Sequence, residues 1–265
     1  FKIDFVRVQF MKAIDILELA MYAGRIMLES GAEVYRVEDT VARICKSFGA
    51  SRIECTITVT GMDASICYQG ETVTLIQRVR KKEINLTKIE RINQLSRDLA
   101  QGEPDIQKAK ELLDEINAIR SYKAVWLVLF SGISSAFFCF MFKGRIESSI
   151  LAFFTGALTR LVLILLAKAG FTGFINDLAG GMLISFFSIS LSSFFNTGNI
   201  NEIIIGSIMI LVPGVAITNA ILDIFHQDYI SGTVKAVDAL LTIVAVSAGV
   251  AIVFSLSNMF EGGFL

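Results

Sequence analysis

The chain has 265 residues, 54% of them hydrophobic, and a formal net charge of −1. A chain with balanced positive and negative charge lacks the basic surface that nucleic-acid binding requires. The sequence therefore excludes nucleic acid as a partner. Residues 1–122 hold 18 of the 24 Lys and Arg and 18 of the 25 Asp and Glu. Charge density falls roughly threefold after Tyr122, to a level typical of membrane segments. We therefore predict an α-helical integral membrane protein with an α+β domain at 1–122 and a transmembrane helical domain at 123–265.

The N-terminal domain begins with helical periodicity. Apolar residues recur at three- and four-residue spacing between Ile14 and Phe48, which predicts amphipathic helices. Gly31 divides this stretch into two helices, and Gly49 fits the C-terminal cap of the second.

The period then changes to two. Apolar and polar residues alternate at 53–60, 65–68 and 72–79, which predicts strands, and Gln69-Gly70-Glu71 predicts a hairpin turn. Two more amphipathic helices are expected at 86–100 and 104–119, with Pro104 in the first turn of the second. The N-terminal domain should be one antiparallel sheet with helices on one side.

The remaining apolar runs are long enough to cross a bilayer, which takes about 20 helical residues. We expect about five transmembrane helices, near 123–142, 146–167, 172–195, 200–220 and 234–257. Lys143-Gly144-Arg145 predicts a tight turn that makes the first two a helical hairpin. Small residues four apart, such as Ala152 and Gly156, would let these helices approach closely.

Orientation follows from the N-terminus and from the basic residues. No secretory leader is visible in the charged first residues, so the N-terminal domain should stay in the cytoplasm and five crossings would put the C-terminus outside. Four basic residues fall on the cytoplasmic side and agree with this orientation in the cell (inner) membrane: Arg120, Lys123, Lys168 and Lys235. Lys143 and Arg145 fall on the outer side and disagree.

Metal, cofactor and catalytic chemistry find little support. The four cysteines, at 45, 55, 67 and 139, form no C-x-x-C pair and no metal-ligand spacing. They are typical of small core residues in a reducing compartment. The only histidine, His226, lies outside the N-terminal domain, which therefore lacks a nucleophile–base pair. We predict no cofactor, no metal site and no enzyme activity.

The most informative polar residues lie in the C-terminal half. Pro213 should bend or break the fourth predicted span, because it lacks a backbone donor and clashes with the preceding turn. Asn219, Asp223 and His226 follow at i, i+4 and i+7, so a continuing helix places them on one face. Broken helices line substrate sites in secondary transporters, and we predict a transport pathway here. His226 is a weak proton-relay candidate.

Five other ionisable residues belong to this candidate pathway: Asp228, Lys235, Asp238, Arg160 and Asp177. Lys235 and Asp238, three apart, could pair with each other or with Asp223 and Asp228. Arg160 lies about two turns inside the second span, where it either contacts a substrate or reaches the interface.

Asp177 begins the third span, ahead of Gly180 and Gly181. A pathway carboxylate and a simple interfacial carboxylate are both open interpretations of it.

The chain resembles the threonine/serine exporter family. The resemblance is carried by Leu211-Val-Pro213-Gly214, by Asn219-Ala-Ile-Leu-Asp223, and by Asp228 and Ser231-Gly232 ahead of Lys235. The run from Leu28 to Thr40 resembles the cytoplasmic segment of the same family. By position, Pro213, Gly214, Asn219 and Asp223 match the family's pattern, whereas Gln227-Asp228 replaces its usual Gly-Asp pair.

The resemblance implies a cytoplasmic domain, about five membrane helices and export of small polar metabolites. Related two-gene systems look like dicarboxylate (succinate) exporters. Long members carry a second set of membrane helices, so this chain resembles their first half. That implies a second small membrane subunit, a homo-oligomer, or both, as partners in the bilayer.

Three functions therefore remain open. The first is an exporter subunit in which Asp223 binds an ammonium group or couples to protons, while Arg160 or Lys235 contacts a carboxylate. The second is a membrane-tethered enzyme or sensor. The third is a scaffold subunit, which would tolerate apolar replacement of the polar residues in the fourth span.

Overall fold

The computed structural model describes residues 2–79, 83–102, 104–120, 122–171 and 173–261, and it describes no side chains for 2–12, 258, 260 and 261. The chain divides into two compact units. The first contains Phe1–Ser121 and Ile217–Ala236, and the second contains Tyr122–Ala216 and Val237–Leu265.

Two helices, α1 (Lys2–Glu29) and α2 (Val34–Ser47), open the first unit. They form where helical periodicity predicts, and their apolar stripes are buried, with Leu17 and Val41 among the fully covered side chains. Gly31 separates the two helices at a φ of +87°, a backbone conformation that glycine adopts without steric cost. The predicted division at Gly31 is confirmed.

Three antiparallel strands follow in the order β1-β2-β3. They are β1 (Ser51–Thr58), β2 (Gly61–Tyr68) and β3 (Glu71–Arg78). Alternate residues of β2, namely Met62, Ala64 and Ile66, are buried in the same core as α1 and α2. Their register partners include Leu75 and Val73 on β3, so one face of the sheet carries the apolar side chains.

Helices α3 (Leu86–Gln101) and α4 (Ile106–Asn117) complete the N-terminal part of this unit. Asn85 and Asp105 cap them by accepting hydrogen bonds from backbone N–H groups of their first turns. The prediction that Pro104 lies in the first turn of α4 is wrong. The proline precedes the cap, because the Asp105 side chain satisfies the N–H groups of Gln107 and Lys108.

Six further helices are described. They are α5 (Ala124–Met141), α6 (Ile146–Lys168), α7 (Phe174–Phe195), α8 (Ile200–Ile208), α9 (Gly214–Phe225) and α10 (Tyr229–Glu261). In the described residues, α5, α6, α7 and 229–257 of α10 are long and apolar enough to cross a membrane. The chain is thus mostly helical, with a small N-terminal sheet, as the sequence predicts.

The fourth predicted span, 200–220, is not one continuous helix. Helix α8 ends at Ile208 and α9 begins at Gly214, so the break predicted at Pro213 is present. Between them the backbone closes short turns, with Leu211 N bonded to Ile208 O and Gly214 N to Val212 O. Proline has no N–H to continue the helical ladder, which explains why the interruption falls here.

Glycines set the close packing of the second unit. A Cβ added at Gly156 on α6 would lie 2.1 Å from Ser135 Oγ on α5. One added at Gly249 on α10 would lie 2.2 Å from Leu178 O on α7. These contacts leave no room for a side chain, as in small-residue interfaces of membrane helices.

Candidate functional site

Two polar side chains of α9 are withdrawn from solvent in the first unit. Asn219 is 8% exposed and Asp223 is fully buried. They are one helical turn apart, so they project from the same face of α9. Such groups are costly to bury unless they find partners, and both do.

Asp223 caps a helix that is distant in sequence. Its Oδ1 accepts a hydrogen bond of 3.1 Å from the backbone N–H of Val34, the first residue of α2. Glu33 stands at the N-cap position of α2, but its side chain makes no capping hydrogen bond. The carboxylate of Asp223 therefore satisfies an N–H that the helix leaves unpaired, at the end where its dipole favours negative charge.

The other oxygen of Asp223 meets a cation. Oδ2 lies 2.7 Å from Lys235 Nζ, and the Lys235 side chain is 13% exposed. This ion pair is close but gives Oδ2 no aligned hydrogen bond. A buried pair of this kind is strongly destabilised when one partner is removed, because the other charge stays uncompensated.

The same turn of backbone receives two more bonds. Asn219 Nδ2 donates to Gly31 O at 2.8 Å, and Lys235 Nζ donates to Ala32 O at 3.4 Å. We call Asn219, Asp223 and Lys235 the turn clamp, because together they bind the Gly31–Val34 turn between α1 and α2.

Two further carboxylates, those of Glu38 and Asp228, lie near the clamp. Burial raises the pKa of Glu38, whose Oε1 accepts from Ile57 N, and the charges of Asp228 and Asp223 raise it further. Burial likewise raises the pKa of Asp228, followed by the charge of Asp223, while His226 and Lys235 act in the opposite sense. Both carboxyl groups therefore hold protons more readily, first because they are partly buried and second because of neighbouring carboxylates.

His226 lies just beyond the end of α9. Its ring stacks on Tyr35 of α2 with centroids 3.7 Å apart, and its Nδ1 is 2.8 Å from Leu222 O. The side chain is exposed. Stacking on Tyr35 and the hydrogen bond at the helix end explain where the ring lies. The relay role of His226 stays a prediction.

The remaining predicted site residues lie in the second unit. Pro213 and Gly214 flank the start of α9, half-buried and exposed respectively. Asp177 Oδ2 accepts a 2.9 Å hydrogen bond from Thr242 Oγ1. Asp238 is exposed and has no ion pair within the described chain. Of the partners considered for Lys235, the structure gives it Asp223.

Arg160 on α6 is half-buried, and its Nε is buried without a hydrogen-bond partner. Five hydroxyls of the second unit share this property, and no sequence pattern singled them out. They are Ser135, Thr155, Thr159, Ser185 and Ser188. Isolated Ser and Thr in apolar helices are too common to single out, although the four-residue spacing of Thr155 and Thr159 marks one face of α6.

Metal binding has no visible basis in the described residues, which contain no group of three His, Cys, Asp or Glu side chains able to hold an ion. The clamp is instead a set of hydrogen-bond donors and charges closed on a backbone turn. Chemically, it can respond to a change in the position of α9.

The chain is similar to several known proteins. Residues 18–257 match the family model described as "Putative threonine/serine exporter". The chain is 24% identical over 233 residues to the "Probable succinate transporter subunit YjjP" of Escherichia coli K12, covering 86% of this chain and 90% of that protein. The protein of the same name from Klebsiella aerogenes is also 24% identical, over 86% and 89%.

A longer relative matches more weakly. The "Threonine/serine exporter" of Corynebacterium glutamicum is 21% identical over 252 residues, which is 92% of this chain but 52% of that protein. No solved structure matches the chain significantly.

Proposed function

Because the chain belongs to the threonine/serine exporter family, we propose that it is a subunit of an inner-membrane secondary exporter. It moves small polar metabolites of the threonine and serine type out of the cytoplasm. Membrane location agrees with the four long apolar helices among the described residues. The sequence has no G-x-x-x-x-G-K-[ST] loop for ATP, which supports a gradient-driven mechanism.

The interruption at 209–213 carries this proposal. Helix α8, the interruption and the start of α9 act as a fifth, discontinuous crossing, because residues 217–236 belong to the first unit. The chain then spans the membrane about five times. An irregular backbone at membrane depth is stable only where protein or water satisfies its polar groups. Transporters use such interruptions to expose carbonyls and helix ends to the substrate.

The turn clamp couples this crossing to the N-terminal domain. Asn219, Asp223 and Lys235 follow directly on the interrupted element and hold the Gly31–Val34 turn. Movement of α9 during transport would break or remake these bonds. We assign the clamp the role of a coupling device. Asp228, whose pKa is raised first by burial and then by the charge of Asp223, supplies a site for a proton.

The N-terminal domain lies in the cytoplasm in this proposal. Arg120 and Lys123 at the entry to α5, and Lys168 at the end of α6, fall on the cytoplasmic side. The Lys143–Arg145 turn falls outside. Residues 1–122 are then the cytoplasmic domain and 123–265 the membrane domain, with 217–236 packing among the former.

A second small membrane subunit is part of the proposal. The chain covers 90% of a relative named as a transporter subunit but only 52% of one named as an exporter. The additional half of the longer protein corresponds to what a separate subunit would contribute. Self-association of this chain is compatible with the same arrangement.

Dicarboxylate export is the second candidate. It is favoured by the two relatives named as succinate transporter subunits. A scaffold that only positions a transporting partner is the third. These alternatives differ in which substrate leaves the cell and in whether the clamp residues matter for its exit.

The test of the proposal is efflux from cells of the source organism with chromosomal substitutions. Asp223→Asn keeps an acceptor for Val34 N but removes the partner of Lys235, leaving a buried ammonium at a cost of about 3–5 kcal/mol. The double variant Asp223→Asn with Lys235→Gln removes both charges and restores stability. Efflux of labelled threonine and labelled succinate is measured in each, and Asp63→Asn, an exposed carboxylate on β2, is the matched control.

A coupling role predicts that the double variant is stable yet exports at about a tenth of the wild-type rate or less, since a lost charge-assisted contact weakens an equilibrium by roughly tenfold. Recovery of both stability and export in the double variant would instead identify the clamp as structural only. If deletion of the wild-type chain changes the efflux of neither threonine nor succinate, the exporter proposal itself is contradicted.

A further inference from the structure

We propose that the groove between α2 and α3 binds a phosphate-bearing metabolite of about nucleotide size, and that the bound metabolite stabilises the turn clamp. The groove lies entirely in the first unit. The inference goes beyond the export role, because it concerns a ligand that the protein binds and does not carry across the membrane.

Two side-chain contacts align α2 with α3. Thr40 Oγ1 on α2 donates to Asn93 Oδ1 on α3 at 3.2 Å, and Arg43 Nη1 donates to Ser96 Oγ at 3.2 Å. The step from one contact to the next is three residues on both helices, so α2 and α3 run parallel. A groove of about 660 Å³ lies along this pair. Its volume falls in the range of small-molecule sites.

Three guanidinium groups line the groove. Arg36 and Arg43 are two turns apart on α2, which places them on one face with about 10 Å between them along the helix axis. Arg97 comes one residue after the point where Arg43 contacts α3, so it lies at the Arg43 end. Two carboxylates, those of Asp39 and Glu90, also line the groove. The lining therefore has a surplus of positive charge.

The charge of Arg43 is already balanced within the protein. Its Nη2 bonds to Asp39 Oδ2, one turn earlier on α2, while its Nη1 bonds to Ser96. These two bonds hold the Arg43 side chain in place along the groove. Arg97 has no ion pair within the described chain, so it carries the uncompensated charge at this end.

Hydrogen-bond donors in the lining also remain open. In the described chain, Arg36 has one ion-pair contact, 3.4 Å to Glu33, and Arg97 has one hydrogen bond, 3.0 Å to Gln94 Oε1. A guanidinium group carries five N–H donors, so most donors of both groups are left for a ligand. The Arg36 side chain is 40% exposed, and ion pairs at such exposure contribute little. Arg36 can therefore exchange Glu33 for a bound anion.

The two ends of the groove differ in a way that selects the ligand. Tyr35 and Leu86 lie where both helices begin, and the Leu86 side chain is 64% exposed. This end suits an apolar or aromatic group. Arg43 and Arg97 at the other end match a phosphate, because guanidinium groups bind phosphate through parallel hydrogen bonds. A nucleoside monophosphate carries both groups on one small molecule.

Tyr35 connects the groove to the turn clamp. It follows Val34, whose N–H donates to Asp223 Oδ1, and its ring stacks on His226 beyond the end of α9. A ligand packed against Tyr35 therefore contacts the same first turn of α2 that the clamp holds. Ligand and clamp favour one position of this turn, so each strengthens the binding of the other by the same factor.

Binding of labelled adenosine monophosphate (AMP) to the purified protein in detergent tests the site. We expect Arg97→Gln to raise the Kd for AMP about tenfold or more, since a charge-assisted hydrogen bond is lost. Arg91→Gln is the matched control, because it removes an exposed positive charge from the same helix outside the groove. Its Kd should stay within about twofold of the wild type, because salt screens distant surface charges.

Arg97 is exposed, so its replacement leaves the core intact, and equal melting temperatures of the two variants verify this. The same Kd in the wild type and in Arg97→Gln, or no binding of AMP to the wild type, would overturn the site.

Two competing ligands separate the possible sources of phosphate. Inorganic phosphate should displace AMP only weakly, because it leaves the Tyr35 end empty. Displacement at equal concentration would overturn the need for an apolar or aromatic group. A short-chain phosphatidylglycerol that binds more tightly than AMP, and whose binding depends on Arg97, would assign the groove to a lipid headgroup and overturn a metabolite site.

The double variant Asp223→Asn with Lys235→Gln tests the connection to the clamp. It should raise the Kd for AMP about fivefold or more, which is the lower range of allosteric coupling. An unchanged Kd in the folded double variant would overturn the proposed effect on the clamp. None of these measurements requires efflux. Failure of AMP binding therefore leaves the exporter proposal standing, and absence of threonine and succinate efflux leaves the groove site standing.

Discussion

At the scale of single residues, Asp223 shows how a carboxylate can serve a helix to which it does not belong. Helix α2 begins at Val34 without a capping side chain from Glu33, and Asp223 accepts the Val34 N–H instead. Lys235 balances the charge at 2.7 Å. The Val34 N–H needs the Asp223 carboxylate as its acceptor, and the carboxylate and the Lys235 ammonium balance each other's charge. Removing Asp223 or Lys235 therefore leaves a buried charge or an unpaired donor.

Asp228 offers a test of the raised pKa values near the clamp. Its pKa is raised above the ordinary value of 3.8, so the folded protein binds this proton more readily than the unfolded chain. The ionised carboxylate therefore lowers stability at neutral pH, and the penalty disappears as the pH falls through the raised pKa towards 3.8. Asp228→Asn should raise the melting temperature at pH 7, and the gain should vanish near pH 4.

Thermal unfolding in detergent between pH 4 and pH 8 measures this effect. Asp63→Asn provides the comparison, because its carboxylate is exposed on β2. A melting temperature of Asp228→Asn below that of the wild type at pH 7 would show that the carboxylate stabilises the fold, against the prediction.

At the scale of elements, glycine contacts decide how closely the helices of the second unit approach. Gly181 on α7 and Gly249 on α10 face each other's helices so closely that an added Cβ would lie 2.1 Å from Val246 O and 2.2 Å from Leu178 O. Backbone atoms cannot move away as a flexible side chain can. The packing of α7 on α10 therefore requires the absence of side chains at these two positions.

Gly249→Ala should lower stability by about 1–3 kcal/mol, the usual cost of overpacking, even though alanine favours the helix. Gly214→Ala is the matched helical control, because a Cβ there meets nothing within 4 Å. Melting temperatures in detergent compare the two. Equal or higher stability of Gly249→Ala would mean that α7 and α10 do not approach as described.

At the scale of the whole molecule, charge is distributed in a way that separates two environments. Most ionisable residues belong to 1–122, whereas α5, α6, α7 and α10 are apolar over lengths that match a bilayer. The basic residues favour the proposed orientation, with a cytoplasmic N-terminal domain, except at Lys143 and Arg145.

Labelling with a membrane-impermeant maleimide tests this orientation. In a background whose four cysteines are replaced, Lys143→Cys should react in intact cells, because the proposed topology places the turn between α5 and α6 outside. Asp63→Cys, on an exposed position of β2, should react only after the cells are opened. The opposite pattern of labelling would invert the proposed topology.

Much of the architecture follows from local patterns. Periods of 3.6 and 2 predicted the helices and strands of the first unit, and Pro213 predicted the interruption between α8 and α9. The start of α4 was misplaced at Pro104, because two neighbouring residues both suit a helix start and the hydrogen bonds of Asp105 select the later one. Local chemistry therefore identifies an element more reliably than its first residue.

The sequence alone determined that this is a membrane protein of an exporter family. Composition, hydrophobic length and family motifs are each properties of short stretches of the chain, so they need no tertiary structure. Only the tertiary structure decided what the polar residues touch. Asp223 meets Val34 across 189 positions, and Asn219 meets Gly31 across 188. Such contacts arise from the register between distant elements, which no periodicity along the sequence encodes.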